Sequence, residues 1–394
     1  MGKLMEVNER RIGQQIRNFE RALSSYPNKE PFSRFLTQFF KDNKQMGSSD
    51  RRMTSRLCYN FFRLGTAAAQ FPVTDRVVLA EFLCETESTV VSYYQPEWTP
   101  RLGDPVSDKI DFLVSLDLIN KSDLFPLQQH LSAPIDTELF LQSQLIQPDL
   151  FIRLKRGSEA KVKHILTEAG IAFENVRSQT LALRNGTNLQ QLKGLSGLYE
   201  VQDLSSQKTI DLIEAKDGEN WWDACAASGG KALLFLDCYP TAKLLVSDIR
   251  MSILRNLDER FEMAGIKNYR KKVIDLTRDP LTILDKELFD GIILDAPCSG
   301  SGTWGRTPEM ISQFKESAIA SFSVLQRQIA KNVLRHLKSG KTLLYITCSV
   351  FKEENEDVVN FICEHLGCEL EEMVTLKGYE HQADTMFAAR LRKK

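Results

Sequence analysis

The sequence predicts an α/β protein whose C-terminal part is a doubly wound, Rossmann-like domain. From residue 219 onward, apolar strand-like runs alternate with helical segments, which is typical of a mostly parallel sheet covered by helices. Up to about residue 140, apolar positions instead recur at helical spacing. A length of 394 residues suits two or three domains. We predict an all-helical domain at 1–143, a small α+β subdomain at 147–207 and the Rossmann-like domain at 208–394.

Each predicted element rests on a local pattern. RRIGQQIRNFERAL and DRRMTSRLCYNFFRL carry the helical spacing of the first domain, SSD supplies an N-cap, and KSDLFPLQQHL continues the helical pattern. The α+β subdomain is predicted from the strand LFIRL, the helix SEAKVKHILTEAGI and the strand TLALRN. Later strands are predicted in ENWWDA, KLLVSD, YRKKVIDL, FDGIILDAP, TLLYITC and TMFAARLRK, with a long helix at 316–338.

Composition excludes several classes of protein. Hydrophobic residues make up 42% of the chain and charged residues 26%, as in an ordinary folded protein. No run of 18 apolar residues occurs and the start, MGKLMEVNERRIGQQ, has no apolar signal core, so we expect neither a membrane span nor export. The eight cysteines form no CxxC pair and the five histidines are scattered. We therefore expect a reducing, cytoplasmic environment and no metal site.

Positive charge is concentrated towards the front of the chain, although the formal net charge is only −1. Residues 1–60 hold 12 Lys and Arg against 6 Asp and Glu, and residues 151–200 hold 8 against 4. Because nucleic acids respond to the local distribution of charge, these regions are candidates for contact with RNA phosphates. Solvated helices carry a similar excess, so both interpretations stay open.

A glycine-rich loop follows the first strand of the Rossmann-like domain. In DACAASGGK, residues 223–231, small side chains and two glycines let the backbone approach a ligand at a helix N-terminus. The next two strands end at Asp248 and Asp275, where an acid can accept hydrogen bonds from a ribose diol. S-adenosylmethionine fits such an acidic site, because its methyl donor is a cation and its adenosine is neutral. Simple strand–helix packing is the alternative.

Two further strand ends carry cysteines, Cys298 in DAPCSGSG and Cys348 in YITCSV. Carbon 5 of cytosine is too weak a nucleophile to attack a sulfonium, but a thiolate that adds to carbon 6 makes the ring enamine-like. A base must then remove the carbon 5 proton so that the thiol can leave. Asp295 can hold a ring nitrogen of the base. The pattern indicates cytosine-5 methylation, in which one thiol attacks and the second assists release.

DACAASGGK, DAPCSGSG and the YITCS strand end resemble, in order and spacing, the RsmB/Sun family of RNA cytosine-5 methyltransferases. VQDLSSQ also matches the family pattern, and SSDRRMTSRLCYNFFR resembles the NusB-like helical domain at the front of the RsmB branch. The resemblance implies an S-adenosylmethionine-dependent enzyme, expected to be a monomer, that acts on ribosomal RNA or alternatively on transfer RNA. A non-catalytic RNA-binding assembly factor is another alternative, and DNA methylation through Cys298 is disfavoured.

The family pattern implies a role for each site residue. Cys348 is the nucleophile and Cys298 helps to free the methylated RNA. Asp295 contacts the target base, and Lys231 lies near it. Contacts with S-adenosylmethionine are implied for Cys225, Ala226, Ala227, Ser228, Gly229, Gly230, Lys231, Asp248, Arg250, Asp275 and Asp295.

The sequence departs from the family pattern in three places. Family members usually have proline where Ser228 stands, so a more mobile loop is expected. An Arg-x-Asn element that contacts RNA is replaced by RLK at residues 153–155, which leaves that contact open. The C-terminal DTMFAARL differs from the usual glycine-rich form.

Four other residues carry expectations. Gln202 and Asp203 are expected to support the active-site region. Trp304 and Arg306, in GTWGRTPE, are expected either to stack on or clamp RNA, or to anchor their own loop. The six other cysteines are expected to be packing residues.

Overall fold

The computed structural model describes residues 8–394. The first seven residues lie outside the described residues. They belong to the predicted domain 1–143 and to the N-terminal stretch in which no apolar signal core was found. Two compact units are present. The helical unit comprises residues up to Gln129, Asp136–Gln147 and Trp304–Lys315, and the α/β unit comprises His130–Ile135, Pro148–Thr303 and Glu316–Lys394. The division into three domains stays a prediction.

The helical unit confirms the all-helical pattern of the front of the chain. The first helix buries one apolar face with Ile12, Ile16 and Phe19, whereas the helix at 73–84 is buried all round over residues 77–83. KSDLFPLQQHL is an exception, because it forms two 3₁₀ turns around Pro126 and not an α-helix. The helices are α1 (Glu9–Ser25), α2 (Phe32–Asp42), α3 (Ser48–Arg63), α4 (Val73–Cys84), α5 (Thr89–Tyr94), α6 (Val106–Ser115) and α7 (Thr137–Gln144).

The GTWGRTPE segment belongs to the helical unit by its packing. Trp304 is only 1% exposed, and its ring lies 5.8 Å from that of Phe125 and 5.1 Å from that of Phe314. The Arg63 guanidinium donates a hydrogen bond of 2.8 Å to the Gly305 carbonyl. Trp304 is therefore a loop anchor, and the expectation that it stacks on RNA is wrong because its ring is buried.

A small antiparallel sheet of order β2-β3-β1-β4 begins the main part of the α/β unit. The sequence did not predict β2 or β4, because β2 is largely exposed and β4 has only three residues. The strands of this sheet and the helices between and after them are β1 (Leu150–Leu154), α8 (Glu159–Glu168), β2 (Phe173–Arg177), β3 (Thr180–Leu183), β4 (Tyr199–Val201) and α9 (Leu204–Lys208).

Two residues of the RLK element lie inside this sheet and not on its surface. Leu154 is 1% exposed, and Arg153 is 6% exposed. The Arg153 guanidinium donates to Gln202 Oε1 at 3.0 Å and pairs with Asp237. Neither side chain is therefore available for a surface contact with RNA.

The seven-stranded sheet confirms the Rossmann-like prediction. Its order is β10-β11-β9-β8-β5-β6-β7, with the last five strands parallel and β10 and β11 antiparallel at one edge. The elements are β5 (Asn220–Asp223), α10 (Gly230–Cys238), β6 (Lys243–Asp248), α11 (Met251–Ala264), β7 (Arg270–Val273), α12 (Leu281–Leu284), β8 (Phe289–Asp295), α13 (Glu309–Gln313, in the helical unit), α14 (Ser317–Leu334), β9 (Leu337–Thr347), α15 (Glu356–His365), β10 (Cys368–Leu376) and β11 (Met386–Lys393).

Two details of this sheet differ from the prediction. The helix predicted at 316–338 ends at Leu334, because Leu337 already pairs with Phe289 in the sheet. The edge strand β10 was missed, since its sequence CELEEMVTL carries three glutamates, is largely exposed and lacks an apolar alternation. Among residues 8–394, no helix is long and apolar enough to span a membrane.

The segment His130–Ile135 is attached to the loop that follows β9. Leu131 pairs with Phe351, and the His130 ring lies 2.7 Å from Glu353 Oε1 and 2.7 Å from Glu316 Oε1. Burial lowers the pKa of His130, but the two carboxylates outweigh it and raise the pKa above its usual value. Folding therefore favours the protonated ring at this position.

We expect this contact to make stability depend on pH. Because the folded-state pKa is raised, the contribution is fully present below the usual histidine pKa of about 6.5 and is lost as the pH rises through the folded-state value. His130→Gln should lower the free energy of unfolding, measured with denaturant, at acidic pH and much less at alkaline pH. His164→Gln, at an exposed histidine of α8, is the control. An equal loss at both pH values would show that packing, and not charge, holds the segment.

Candidate active site

The carboxyl ends of β5, β6, β8 and β9 meet at one edge of the large sheet, where open α/β folds bind ligands. The structure brings Cys298 and Cys348 together there, with their Sγ atoms 3.3 Å apart. Both side chains are partly buried. The hydrogen bond with Cys348, together with burial, raises the pKa of Cys298 well above its usual value. Cys298 is therefore held as a neutral thiol beside Cys348.

Lys231 and Asp295 form an ion pair in the same site. Lys231 Nζ lies 2.7 Å from Asp295 Oδ2, and both side chains are largely buried. Burial lowers the pKa of Lys231, but the charge and hydrogen bond of Asp295 outweigh this effect and raise it. Lys231 thus remains a cation that fixes one oxygen of Asp295. The structure therefore brings the four residues predicted for catalysis into two contacting pairs.

Glu354 is a residue of this site that the sequence analysis missed. Its side chain is fully buried, and Oε2 accepts hydrogen bonds from the Ser299 amide at 2.8 Å and from Gln326 at 3.0 Å. Oε1 accepts from the Ser349 hydroxyl at 2.8 Å. Ser299 follows Cys298 and Ser349 follows Cys348. One carboxylate therefore ties together the two loops that carry the thiols.

Backbone hydrogen bonds around Gly302 form a second connection between the loops that carry the two thiols. The Gly302 amide donates to the Cys348 carbonyl at 2.9 Å, and the Thr385 amide donates to the Gly302 carbonyl at 2.9 Å. A Cβ at residue 302 would lie 1.8 Å from the Thr385 carbonyl oxygen, so only glycine fits. Because the DTMFAARL element makes this contact through its backbone, its departure from the family sequence does not remove it.

We expect Glu354→Ala to slow methyl transfer by about 10²-fold, because small displacements of reacting groups cost that much. The change leaves the Ser299 N–H unpaired in the interior and leaves Gln326 only its hydrogen bond to the Pro297 carbonyl. Steady-state kinetics should show a lower kcat with little change in KM for S-adenosylmethionine, and diamide should join Cys298 to Cys348 more slowly. Glu354→Gln, which keeps one hydrogen-bond acceptor, should lower kcat less than Glu354→Ala does.

Glu364→Gln provides the matched control for this prediction, since Glu364 lies exposed on α15. A folded Glu354→Ala protein with unchanged kcat and an unchanged rate of disulfide formation would contradict the positioning role.

The glycine-rich loop has the conformation that its sequence predicts. Ala227 and Gly229 both have positive φ, at 46° and 83°. A Cβ at Gly229 would lie 2.8 Å from Leu257 Cγ, so glycine lets α10 start close to α11. Arg260 Nη1 donates to both the carbonyl and the hydroxyl of Ser228, each at 3.1 Å. These bonds oppose the loosening expected from the loss of proline.

Gln202 and Asp203 support this region. Gln202 Nε2 donates to the Gly230 carbonyl at 3.4 Å, which connects the small sheet to the glycine-rich loop. Asp203 accepts from the Ser205 amide at 2.8 Å and from the Asp384 amide at 3.0 Å.

Asp248 contacts the glycine-rich loop, whereas Asp275 bonds within its own turn after β7. Asp248 is 6% exposed and accepts from the amides of Ala227 at 3.2 Å and Arg250 at 2.9 Å. Asp275 accepts from the Thr277 amide and hydroxyl, which lower the pKa of Asp275.

Cys225 packs against the core of the sheet, and burial raises the pKa of its thiol well above the usual value. Its thiol is therefore a packing group, and its contact with S-adenosylmethionine stays a prediction.

Asp223, at the end of β5, is a second residue that the sequence analysis missed. It is 1% exposed, and neither carboxylate oxygen has a hydrogen-bond partner within residues 8–394. Burial and the nearby Asp295 raise the pKa of Asp223 to about 8. Asp223 is thus held largely as the neutral acid, and a cation bound beside it, as S-adenosylmethionine would be, would favour its ionised form.

A seven-stranded sheet with a glycine-rich loop after its first parallel strand and acids at the next strand ends defines a Rossmann-like, S-adenosylmethionine-dependent methyltransferase domain. Residues 210–392 match the family described as 16S rRNA methyltransferase RsmB/F. The match covers this domain and less than half of the chain, and within it the resemblance to the RsmB/Sun family, whose cofactor is S-adenosylmethionine, is confirmed. The NusB-like character of the front of the chain stays a prediction.

Known relatives agree with this assignment. The chain is 31% identical to ribosomal RNA small subunit methyltransferase B of Serratia proteamaculans over 245 residues, 61% of this chain and 57% of that protein. It is 34% identical to the protein of the same name from Erwinia tasmaniensis over 230 residues, 57% of this chain and 53% of that one. The match thus spans little more than half of each relative.

A solved structure shares the fold. A methyltransferase homolog protein from Pyrococcus horikoshii superposes with a TM-score of 0.59 at 23% identity. The superposition covers 72% of this chain and 98% of that one.

Proposed function

We propose that this protein is an RNA (cytosine-5)-methyltransferase that acts on ribosomal RNA through a covalent Cys348–cytosine intermediate. The observation that carries the proposal is the pair of thiols 3.3 Å apart beside the Lys231–Asp295 pair. Two thiols at adjoining strand ends suit a reaction in which one sulfur adds to the base and a neighbouring group moves a proton. The relatives named ribosomal RNA small subunit methyltransferase B favour ribosomal RNA over transfer RNA.

The residues that would hold S-adenosylmethionine lie around the glycine-rich loop. They are the backbone of 225–231 with Asp248, Arg250, Asp275 and Asp295. Asp248 already accepts four hydrogen bonds, and three of them come from Arg250. The Arg250 side chain, which is 58% exposed, must therefore move aside before a ribose diol can bind to Asp248. When bound, the cofactor supplies the methyl group as an electrophilic sulfonium.

The side chains of the site account for the remaining chemistry. The Cys348 sulfur forms a bond to carbon 6 of cytosine while its thiol proton passes to the ring nitrogen, and the electron pair of the 5,6 double bond moves into the 4,5 bond, which makes carbon 5 enamine-like. Asp295, oriented by Lys231, accepts a hydrogen bond from the protonated ring nitrogen. After carbon 5 is methylated, it loses its proton, the double bond re-forms and the carbon–sulfur bond breaks. Cys298, a neutral thiol 3.3 Å from the Cys348 sulfur, can give its proton to that sulfur as it leaves and take up the carbon 5 proton in its place. The ring nitrogen then gives up its proton to solvent.

We also propose that the protein is a monomer and acts in the cytoplasm. All eight cysteines are free, and Cys58 and Cys368 are buried in the core, as suits a reducing environment.

The reaction is tested with unmodified transcripts of ribosomal and transfer RNA and methyl-labelled S-adenosylmethionine. After digestion to nucleosides, the label is expected in 5-methylcytidine from ribosomal RNA. Label in N4-methylcytidine contradicts the chemistry, and label from transfer RNA alone contradicts the substrate. Binding of S-adenosylmethionine without label on naked or particle-bound RNA favours a non-catalytic assembly factor.

A further inference from the structure

The helical unit contains a cavity of about 530 Å³ at the N-terminal ends of α1 and α3. Arg11 and Arg52 lie within the first turns of these two helices, and both line the cavity. Arg56 lies one turn further along α3. Helix N-termini carry unsatisfied N–H groups and a partial positive charge, so the cavity combines two helix ends with three arginines.

The three arginines of the cavity differ in how far their charges are paired within the protein. The cavity lining includes one acid, Glu87, within the described part of the chain. Arg56 is held by Glu81 and Glu85, so it contributes shape more than charge. Arg52 is exposed and has no hydrogen bond or ion pair to any of residues 8–394, and the Arg11 guanidinium donates only to the Ser49 hydroxyl at 3.3 Å among the same residues. Two guanidinium groups are therefore available to an anion.

A buried side chain gives independent evidence of a ligand. Gln15 lines the cavity and is 7% exposed, yet its amide oxygen is buried without a hydrogen-bond partner in the described structure. A buried amide that lacks partners is costly. Its oxygen can only accept hydrogen bonds, and the flip that exchanges the two ends of the amide would put the Nε2 donors in that place, where they can bond an anion. The N-cap of α3, Gly47, also has no side chain to bond the first amides of that helix. The Gln15 amide and the first backbone amides of α3 therefore lack a partner that accepts hydrogen bonds.

We infer that this cavity holds a backbone phosphate of the RNA substrate, outside the active site. The inference rests on the proposed function, because an enzyme that withdraws one base from RNA must also hold the flanking strand. Phosphate oxygens complement two free guanidinium groups and the open amides of α3. Tyr93 lies on α5 one turn after Thr89, which lines the cavity, and its ring is 37% exposed. It offers an adjacent base a stacking surface, which a free anion would not use.

The test compares a cavity variant with a charge-matched variant of the same unit. The cavity variant is Arg11→Gln/Arg52→Gln in the full chain. The control is Arg17→Gln/Arg34→Gln, because both of these arginines are exposed on α1 and α2 and lie outside the cavity lining. Binding of a short fluorescein-labelled single-stranded RNA is measured by anisotropy over a range of salt concentrations. Circular dichroism melting confirms that both variants fold.

The cavity variant is expected to bind this RNA about tenfold more weakly at low salt, while the control binds like the wild type. The slope of log Kd against log salt should fall by about 0.7, because this is the contribution of one phosphate contact on a single strand. Equal binding by the cavity variant and the control would overturn the inference. It would also be overturned if inorganic phosphate raised the Tm of the wild type alone while RNA binding stayed unchanged, since the cavity would then take a free anion.

Nucleoside analysis separates this inference from the proposed function. If the wild type forms 5-methylcytidine and the cavity variant matches the control in RNA binding, only the inference fails. If the wild type forms no 5-methylcytidine but the cavity variant alone loses RNA binding, only the reaction fails. With both correct, the cavity variant should raise KM for RNA and leave kcat unchanged, because the cavity lies in the helical unit and contributes no reacting group.

Discussion

Cys348→Ala is expected to abolish both methylated RNA and any covalent protein–RNA complex. The rate should fall by at least about 10⁴-fold, as it does when a covalent enzyme loses its nucleophile. Without a sulfur at this strand end, carbon 5 of cytosine keeps too little electron density to accept a methyl group. Cys298 cannot take over, because burial also contributes to holding it as a neutral thiol. Product is measured by label transfer, and the complex by a denaturing gel.

Cys363→Ala is the control for this substitution, because Cys363 lies on α15, packs at the edge of the core and has no part in the proposed chemistry. It should keep nearly full activity. The Cys348→Ala protein should still bind S-adenosylmethionine, since no cofactor contact is assigned to that side chain. Methyl transfer by Cys348→Ala within tenfold of the wild type would show that another group attacks the base.

Cys298→Ala is expected to have the opposite signature, a protein–RNA complex that accumulates. Alanine leaves the attacking sulfur in place but removes the thiol that lies 3.3 Å from it. The carbon 5 proton then leaves slowly, and release should slow by about 10² to 10⁴-fold, the usual contribution of a positioned acid–base group. A band of retarded protein on a denaturing gel, dependent on RNA and on S-adenosylmethionine, measures this effect.

A matched substitution distinguishes chemistry from packing at this position. Cys298→Ser keeps the size and a proton-carrying group, so it should accumulate less complex than Cys298→Ala. If neither variant accumulates complex while both remain active, Cys298 has no role in release.

The sequence alone located the candidate groups because ligand sites of open α/β sheets lie at strand ends. Parallel strands align their carboxyl ends, so Cys298, Cys348 and Asp295 were expected at the same edge of the sheet. The same reasoning applies to Lys231, which lies in the first turn of the helix after the glycine-rich loop. Local periodicity was sufficient for these elements, since IIL in β8 and LLYI in β9 are uninterrupted apolar runs.

Other features depended on tertiary contacts that no local pattern reveals. Glu354 sits in the charged run KEENED, which predicts a solvated helix start, and only the structure shows that the carboxylate is fully buried between two loops. Asp223 looked like part of the glycine-rich loop and is instead a buried, unpartnered acid. The two roles considered for Trp304 stayed open for the same reason, because the sequence of a loop gives no indication of whether its aromatic side chain is buried.

The most direct test of the central claim is to trap the adduct and locate it. Ribosomal RNA containing 5-fluorocytidine cannot lose its carbon 5 substituent, so the wild-type protein should remain attached to it in the presence of S-adenosylmethionine. After nuclease and trypsin digestion, mass spectrometry distinguishes two peptides, residues 342–352 with Cys348 and residues 287–306 with Cys298. The account predicts the methylated nucleotide on Cys348. A nucleotide on Cys298 would reverse the two roles and contradict it.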